Sequence, residues 1–382
     1  MESGKAIWVF GILFFLLAGI EASQLGGGLR KCGFPAVYNF GDSNSDTGGR
    51  SAALGEVPPP NGETFFGKPS GRFCDGRLII DLIVENLGLP YLSAYLDSIG
   101  TNFRHGANFA TGGSSILPGG YSPFNLDLQI SQFIQFKSRT TALYKQLGDH
   151  SNRPRPRDFS KALYTFDIGQ NDLAYGFQHT NEAQTRDSIP TILDEFARAV
   201  QQLYKEGARV FWVHNTGPIG CLPYNEIYYQ PKPGNLDSNG CVEPQNEVAQ
   251  EFNRQLKDRV SQLRAKLPHA AFTYVDVFSA KYTLISNANN QGKLLLILSS
   301  FENPLEFCCG SYYGYHIDCG KKAIVNGTIY GAPCHNPSRY ISWDGIHYSQ
   351  AANLLIAEVI LNGSLSDPPI SIRKACQNPK NA

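Results

Sequence analysis

Ala36-Val37-Tyr38-Asn39-Phe40-Gly41-Asp42-Ser43-Asn44-Ser45-Asp46 changes character at its centre. An apolar, aromatic-rich run stops at a glycine and becomes a string of carboxylates, hydroxyls and an amide. That is the pattern of a strand running into a turn. The same pattern recurs downstream. Residues 162–166 stop at Asp167-Ile168-Gly169, residues 209–214 stop before Thr216-Gly217-Pro218, and 271–275 form a fourth run. Residues 78–87, 127–147, 188–204, 242–267 and 349–361 carry apolar residues at helical spacing. Continuous apolar strands separated by helices predict a central parallel sheet covered on both faces, an α/β fold. No internal repeat, charge block or long linker divides the chain. One domain is expected over 33–365, followed by a C-terminal tail, 366–382. In such a fold, reactive residues gather beyond the C-terminal ends of the strands.

Composition narrows the function classes. The chain has 382 residues, 42% hydrophobic, and its 33 basic residues balance 33 acidic ones. That balance lacks the basic excess of a nucleic-acid binder. Lys5 precedes the short apolar run Ala6-Ile7-Trp8-Val9-Phe10-Gly11-Ile12-Leu13-Phe14-Phe15-Leu16-Leu17-Ala18-Gly19-Ile20, and the small residues Ala22 and Ser23 follow it. This predicts a secretory signal peptide over 1–23 rather than a membrane span, which needs ~20 apolar residues. Secretion to the extracellular space, apoplast or cell wall, suits the nine cysteines, whose odd number leaves at least one thiol unpaired. Cys221 to Cys241 and the cluster Cys308 to Cys334 suit structural bridges. No C-x-x-C pair or His pair at ligand spacing points to a metal. Asn326-Gly327-Thr328 and Asn362-Gly363-Ser364 are N-glycosylation acceptors in a secreted chain.

Four clusters carry groups able to do chemistry. Ser43 follows a strand directly, and a serine hydroxyl becomes nucleophilic when a base takes its proton. If Ser43 starts a helix, nearby N–H groups also stabilise an oxyanion. Asp42 and Ser43 fit a plain turn and N-cap equally well. In Trp343-Asp344-Gly345-Ile346-His347-Tyr348, the spacing lets a carboxylate orient an imidazole. An isolated Asp-x-x-His also fits a helix start beside a surface histidine. Gly169-Gln170-Asn171-Asp172 follows a strand and offers a side-chain amide. Gly106-Ala107-Asn108-Phe109-Ala110-Thr111-Gly112-Gly113-Ser114 offers glycines that permit close backbone approach, or an ordinary turn. Two other signatures fail. Gly62-Glu63-Thr64-Phe65-Phe66-Gly67-Lys68 lacks the Ser/Thr of a phosphate loop, having Pro69 there, and no Gly-x-Ser-x-Gly occurs.

Taken together and in this order, the four blocks resemble those of the plant GDSL esterase/lipase family, within the SGNH hydrolases. The resemblance covers nearly the whole mature chain and extends to Asn61-Gly62-Glu63-Thr64-Phe65-Phe66 and Asn215-Thr216-Gly217-Pro218-Ile219-Gly220-Cys221. It is strongest to the early-nodulin-like branch. It implies a flavodoxin-like three-layer α/β/α sandwich with a central parallel sheet, the SGNH hydrolase fold. It also implies Ser43 as nucleophile, His347 as general base and acid, and Asp344 as the orienting carboxylate. The implied oxyanion hole is the N–H of Ser43, the N–H of Gly113 (rather than Gly112) and the Asn171 side chain. Asn44 stands where the name-giving leucine would be. Cys74 stands where relatives usually carry serine, which marks it as the unpaired thiol; a bridge peculiar to this chain is the alternative.

The implied chemistry is two-step acyl transfer with no metal or organic cofactor. The expected substrates are small-molecule or polysaccharide esters with short acyl groups, such as acetylated glycans or secondary metabolites, since no apolar lid segment stands out. An acyltransferase would keep the same residues and pass the acyl group to an alcohol or sugar. A non-catalytic secreted binding protein would have lost a triad member, and none is missing. Oligomeric state is not encoded in any of these signals.

Overall fold

The computed structural model describes residues 31–149, 152–229, 232–289, 301–302, 304–312 and 316–377. The expected leader, 1–23, lies outside them. The unit over residues 33–382 is built on a six-stranded sheet. Five strands are parallel: β1 (Val37–Gly41), β2 (Gly106–Asn108), β3 (Leu163–Asp167), β4 (Val210–His214) and β5 (Ala271–Val275), in the order β2-β1-β3-β4-β5. That is the flavodoxin-like order, in which the direction of strand addition switches so that β1 and β3 flank the switch point. The crevice beyond those two strand ends is where the fold places a site.

The two faces of the sheet differ. Register aligns Tyr38, Tyr164, Phe211 and Phe272 in one row on one face. Neighbouring rings in that row have centroids 5.4, 5.8 and 4.6 Å apart. Pairs of this kind contribute ~0.5–1.5 kcal/mol beyond burial. Helices Leu126–Leu147, Glu182–Lys205 and Glu243–Lys266 bury this face through residues such as Phe133, Phe196 and Phe252. The opposite face carries Asn39, Thr165, Trp212 and Thr273 in the matching row. Helices Ile79–Leu87, Val277–Asn289 and Gln350–Leu361 pack against one another in the third layer.

Several elements depart from the sequence expectation. β2 lies inside the glycine block and is too short for a periodic signal. Gly106 is required there: its φ is +116°, and a Cβ would come within 1.8 Å of the Val37 carbonyl oxygen. Helix Gln170–His179 begins inside the asparagine block and buries only Leu173 and Phe177. Helix Glu182–Lys205 starts six residues before 188, where Asn181 caps it by accepting from the Gln184 N–H, and it accommodates Pro190. The stretch expected as a tail is not detached. Ser366–Asp367 pairs antiparallel with β5 as the sheet's sixth strand, and Ile372 and Ala375 beyond it are buried. Two residues of β-pairing give no readable alternation, so burial of the strand edge decides this. Cys221–Cys241, Cys308–Cys334 and Cys309–Cys319 are bridged, and Cys74 is a free, buried thiol whose pKa burial pushes up.

Candidate active site

β1 ends in a turn closed by the Ser45 N–H donating to the Asp42 carbonyl (3.1 Å). Asp42 Oδ1 accepts from the Asn44 N–H (2.9 Å) and from its side-chain amide (3.0 Å). Asn44 therefore has a role that leucine in its place would not fill. Side chains of the polar sheet face hold the turn. Thr165 Oγ1 donates to Asn39 Oδ1 (2.7 Å), and Asn39 Nδ2 donates to Asn108 Oδ1 (2.7 Å) and Ser45 Oγ (3.0 Å). Asn108 Nδ2 in turn donates to the Ser45 carbonyl (2.6 Å). Buried Gln129 brackets Gly41, accepting from its N–H (3.0 Å) and donating to its carbonyl (2.8 Å). Ser43 does not start a helix. Helix Gly49–Ala53 begins later, and the Asp46 carboxylate caps it by accepting from the N–H groups of Gly48, Gly49 and Arg50.

The other end of the chain comes back to this turn. Asp344 and His347 lie in a tight loop before helix Gln350–Leu361. Asp344 Oδ1 accepts from the N–H groups of Ile346 (3.0 Å) and His347 (2.7 Å). Asp344 Oδ2 faces His347 Nδ1 at 2.6 Å, and His347 Nε2 faces Ser43 Oγ at 2.7 Å. Burial alone would raise the Asp344 pKa, but the His347 charge and these hydrogen bonds bring it below the usual carboxylate range. An ionised Asp344 only accepts, so the Nδ1 proton points at it and Nε2 accepts from the Ser43 hydroxyl. Phe73 stacks on the imidazole, with centroids 5.0 Å apart and planes at 29°. Trp343 N–H donates to the His347 carbonyl (2.7 Å), and its indole N–H donates to Asn61 (2.9 Å).

Gly113 and Asn171 line the same cleft as Ser43 and His347, a cavity of about 600 Å³. Gly112 N–H is engaged by Asp46 Oδ2 (2.7 Å), whereas no hydrogen bond among the described residues takes the N–H of Gly113 or Ser43. Gly113 adopts φ +83°. Asn171 Nδ2 donates to the Ser114 carbonyl (2.9 Å), which aims the amide and leaves its second N–H for the cleft. Asp172 clamps the neighbouring loop by accepting from the N–H groups of Ile116 and Leu117, and burial raises its pKa to about 7. The structure thus brings together all five expected residues. It adds Phe73, Tyr121, Gln178 and Tyr224 to the lining, which carried no motif of their own. Phe73 nonetheless directly precedes Cys74, which the resemblance had singled out. Among the described residues, no group of three or more His, Cys, Asp or Glu side chains is placed to hold a metal ion.

Residues 37–360 match the family model for GDSL-like Lipase/Acylhydrolase. The chain belongs to the plant GDSL esterase/lipase family. A GDSL esterase/lipase of Arabidopsis thaliana is 56% identical over 91% of this chain and 92% of its own length. GDSL esterase/lipase ENOD8 of Medicago truncatula is 45% identical over 91% of each chain. Alpha-L-fucosidase 3 of Arabidopsis thaliana is 48% identical, covering 91% of this chain and 93% of its own. As a GDSL family member the chain is a serine ester hydrolase acting on carboxylic esters. No helix among the described residues is long and apolar enough to cross a membrane.

Proposed function

We propose that this hydrolase works through an acyl-enzyme on Ser43. The observation that carries the reading is the line of contacts Asp344 Oδ2, His347 Nδ1, His347 Nε2, Ser43 Oγ, with gaps of 2.6 and 2.7 Å. His347 takes the Ser43 proton as the hydroxyl oxygen attacks the ester carbonyl. Asp344 holds the imidazole in the accepting tautomer and offsets the positive charge it gains. The N–H groups of Ser43 and Gly113 and the Asn171 amide receive the oxyanion. His347 returns the proton to the leaving alcohol. Water, deprotonated by the same histidine, then releases the acid. No step calls for a metal or organic cofactor.

The substrate reading is an ester of a short acyl group on a polar alcohol, such as an acetylated glycan or a secondary metabolite. One wall of the cleft supports it. Tyr121 OH donates to Gln178 Oε1 (2.6 Å), and Gln178 also hydrogen-bonds Tyr224. Amphipathic rings joined by an amide suit a partner that is apolar in the middle and hydroxylated at its edge. Secretion through a cleaved leader at 1–23, with glycans on Asn326 and Asn362, is part of the same reading. Both asparagines are exposed, and disulfides such as Cys221–Cys241, Cys308–Cys334 and Cys309–Cys319 fit an oxidising compartment.

A p-nitrophenyl ester series run beside Ser43→Ala tests this. Turnover is expected to be fastest on acetyl or butyryl esters and lost in the variant, with organophosphate labelling lost in parallel. Fastest turnover on long chains would remove the short-acyl reading. Labelling and turnover that survive Ser43→Ala would remove the mechanism. Product analysis with an added alcohol tells hydrolysis from transfer to that acceptor.

A further inference from the structure

Directly behind the Ser43 turn lies a second set of charged side chains that the chemistry above does not use. Asp42, Asp167, His214 and Lys281 are all buried. Each comes from a different element: the turn after β1, the end of β3, the end of β4 and helix Val277–Asn289. The Asp42 N–H donates to the Asp167 carbonyl (3.2 Å), so the two carboxyl-bearing residues are backbone neighbours. Trp212 Nε1, which only donates, donates to His214 Nε2 (3.0 Å). The His214 proton is therefore on Nδ1, facing Asp167 Oδ2 at 3.3 Å, and His214 contributes a hydrogen bond rather than a charge. Asp42 Oδ1 is taken by Asn44, while its Oδ2 is buried without a hydrogen-bond partner.

Lys281 is the buried lysine of this set. Its Nζ lies 4.5 Å from the ring centroid of Tyr348, the residue after His347. Its stem packs on Gly217, where a Cβ would meet Lys281 Cδ at 3.0 Å. The buried ammonium thus borders the residue after His347 and Gly217, three residues beyond the end of β4, and its charge acts on Asp42 and Asp167 without a direct ion pair to either. Two buried carboxyl groups side by side do not both ionise cheaply without such a charge. The charged or titratable groups that act on Asp42 are Asp167 from β3, Lys281 from its helix and His347 from its loop, while His214 from β4 faces Asp167. Burial and then the Asp167 charge raise Asp42 to about 7. Asp167 would also be raised by burial, but His214 and Lys281 bring it below the usual range. Burial pushes the Lys281 ammonium below its ordinary range, and Asp167 and Asp42 oppose that.

We propose that Lys281 is a positioning residue for the ester hydrolysis, the buried counter-charge that lets the Asp42 and Asp167 segments sit together behind the oxyanion site. This rests on the Ser43 reading above. Without Lys281, ionisation of Asp42 sets a second negative charge beside Asp167. That charge loosens the turn holding Ser43 and opposes the developing oxyanion.

The test is the pH profile of p-nitrophenyl acetate hydrolysis by the full secreted chain. In Lys281→Met, kcat is expected to fall about 10-fold or more at about pH 8.5 but only about 2- to 3-fold at about pH 6, with KM within about 2-fold throughout. In the double variant Lys281→Met/Asp42→Asn, the extra alkaline loss disappears. An equal loss at both pH values, or a loss carried by KM, overturns the proposal. Should Lys281→Met not fold, the double variant decides. Recovery of a folded, active chain supports the charge balance, and a double variant that is also unfolded overturns it. Ser43→Ala separates the two layers of the argument. If it stays active, the serine reading fails. If it is inactive while Lys281→Met matches the parent, only the Lys281 proposal fails.

Discussion

Ser43 and His347 meet at 2.7 Å but are held there by different means. The Ser43 turn hangs from the sheet. Thr165, Asn39 and Asn108 form a buried polar row across β3, β1 and β2, and that row grips Ser45. The His347 loop contributes no strand to the main sheet. It is tied to a cross-linked segment: Cys308 N–H donates to the Ser342 carbonyl (3.2 Å) and Cys309 N–H to the Trp343 carbonyl (2.6 Å). Those two cysteines are bridged to Cys334 and Cys319. A serine fixed by sheet register is lost only when the fold is lost. A histidine fixed by cross-links can be displaced while the sheet stays intact, since chain regions open locally at different free energies.

The largest effect that bears on this contrast removes either partner outright. Ser43→Ala and His347→Ala should each lower kcat by roughly 10³- to 10⁶-fold, with non-additive losses in the double variant. Additive losses, measured by steady-state kinetics, would mean that the two side chains do not act as one unit. Next comes the cross-link. Cys309→Ser/Cys319→Ser should lower kcat by about 10- to 100-fold while far-UV circular dichroism keeps its α/β signature. If activity and the sheet signal disappear together on heating or mutation, the two anchors are not separable.

A smaller effect is expected on the sheet side. Asn39→Leu leaves Thr165, Asn108 and Ser45 short of partners and should cost about 1–3 kcal/mol of global stability in denaturant melts. Activity should then follow the folded fraction. A normal melt with a large drop in kcat would contradict the sheet anchor. The smallest effect is a slope in stability against pH. Asp42 and Asp172, each raised to about 7, bind their protons more tightly folded than unfolded. Their contribution is present below the unfolded value near 3.8 and is lost as pH climbs through 7. Melting temperature should therefore fall between about pH 4.5 and pH 7, and Asp42→Asn should flatten part of that fall. Asp344 and Asp167, both lowered, act in the opposite sense, and their contribution is lost only as pH falls below the ordinary carboxylate range.

Much of the architecture was legible because long periodic runs carry their own signal. The strands at 37–41, 163–167, 210–214 and 271–275 and the helices at 126–147 and 243–266 lie within a residue or so of their expected bounds. β2 and the edge strand Ser366–Asp367 were not legible, because two or three residues hold no period and their pairing partners are distant in the chain. Gly113 was favoured over Gly112 by resemblance. The structure supplies a physical reason, since Asp46, from a different block, occupies the Gly112 N–H.

The sequence by itself determined which chemistry-bearing residues exist, which of them follow strands, and the family their order marks. It did so because strand-then-turn grammar and short motifs are local. Only the tertiary structure decided that residues 43 and 347 share a hydrogen bond, that the free thiol of Cys74 is buried in the core, and that Lys281 packs against Tyr348, the residue after His347. Those facts depend on sheet order and helix packing, which bring together side chains hundreds of residues apart, and neither is written in any local window of the chain.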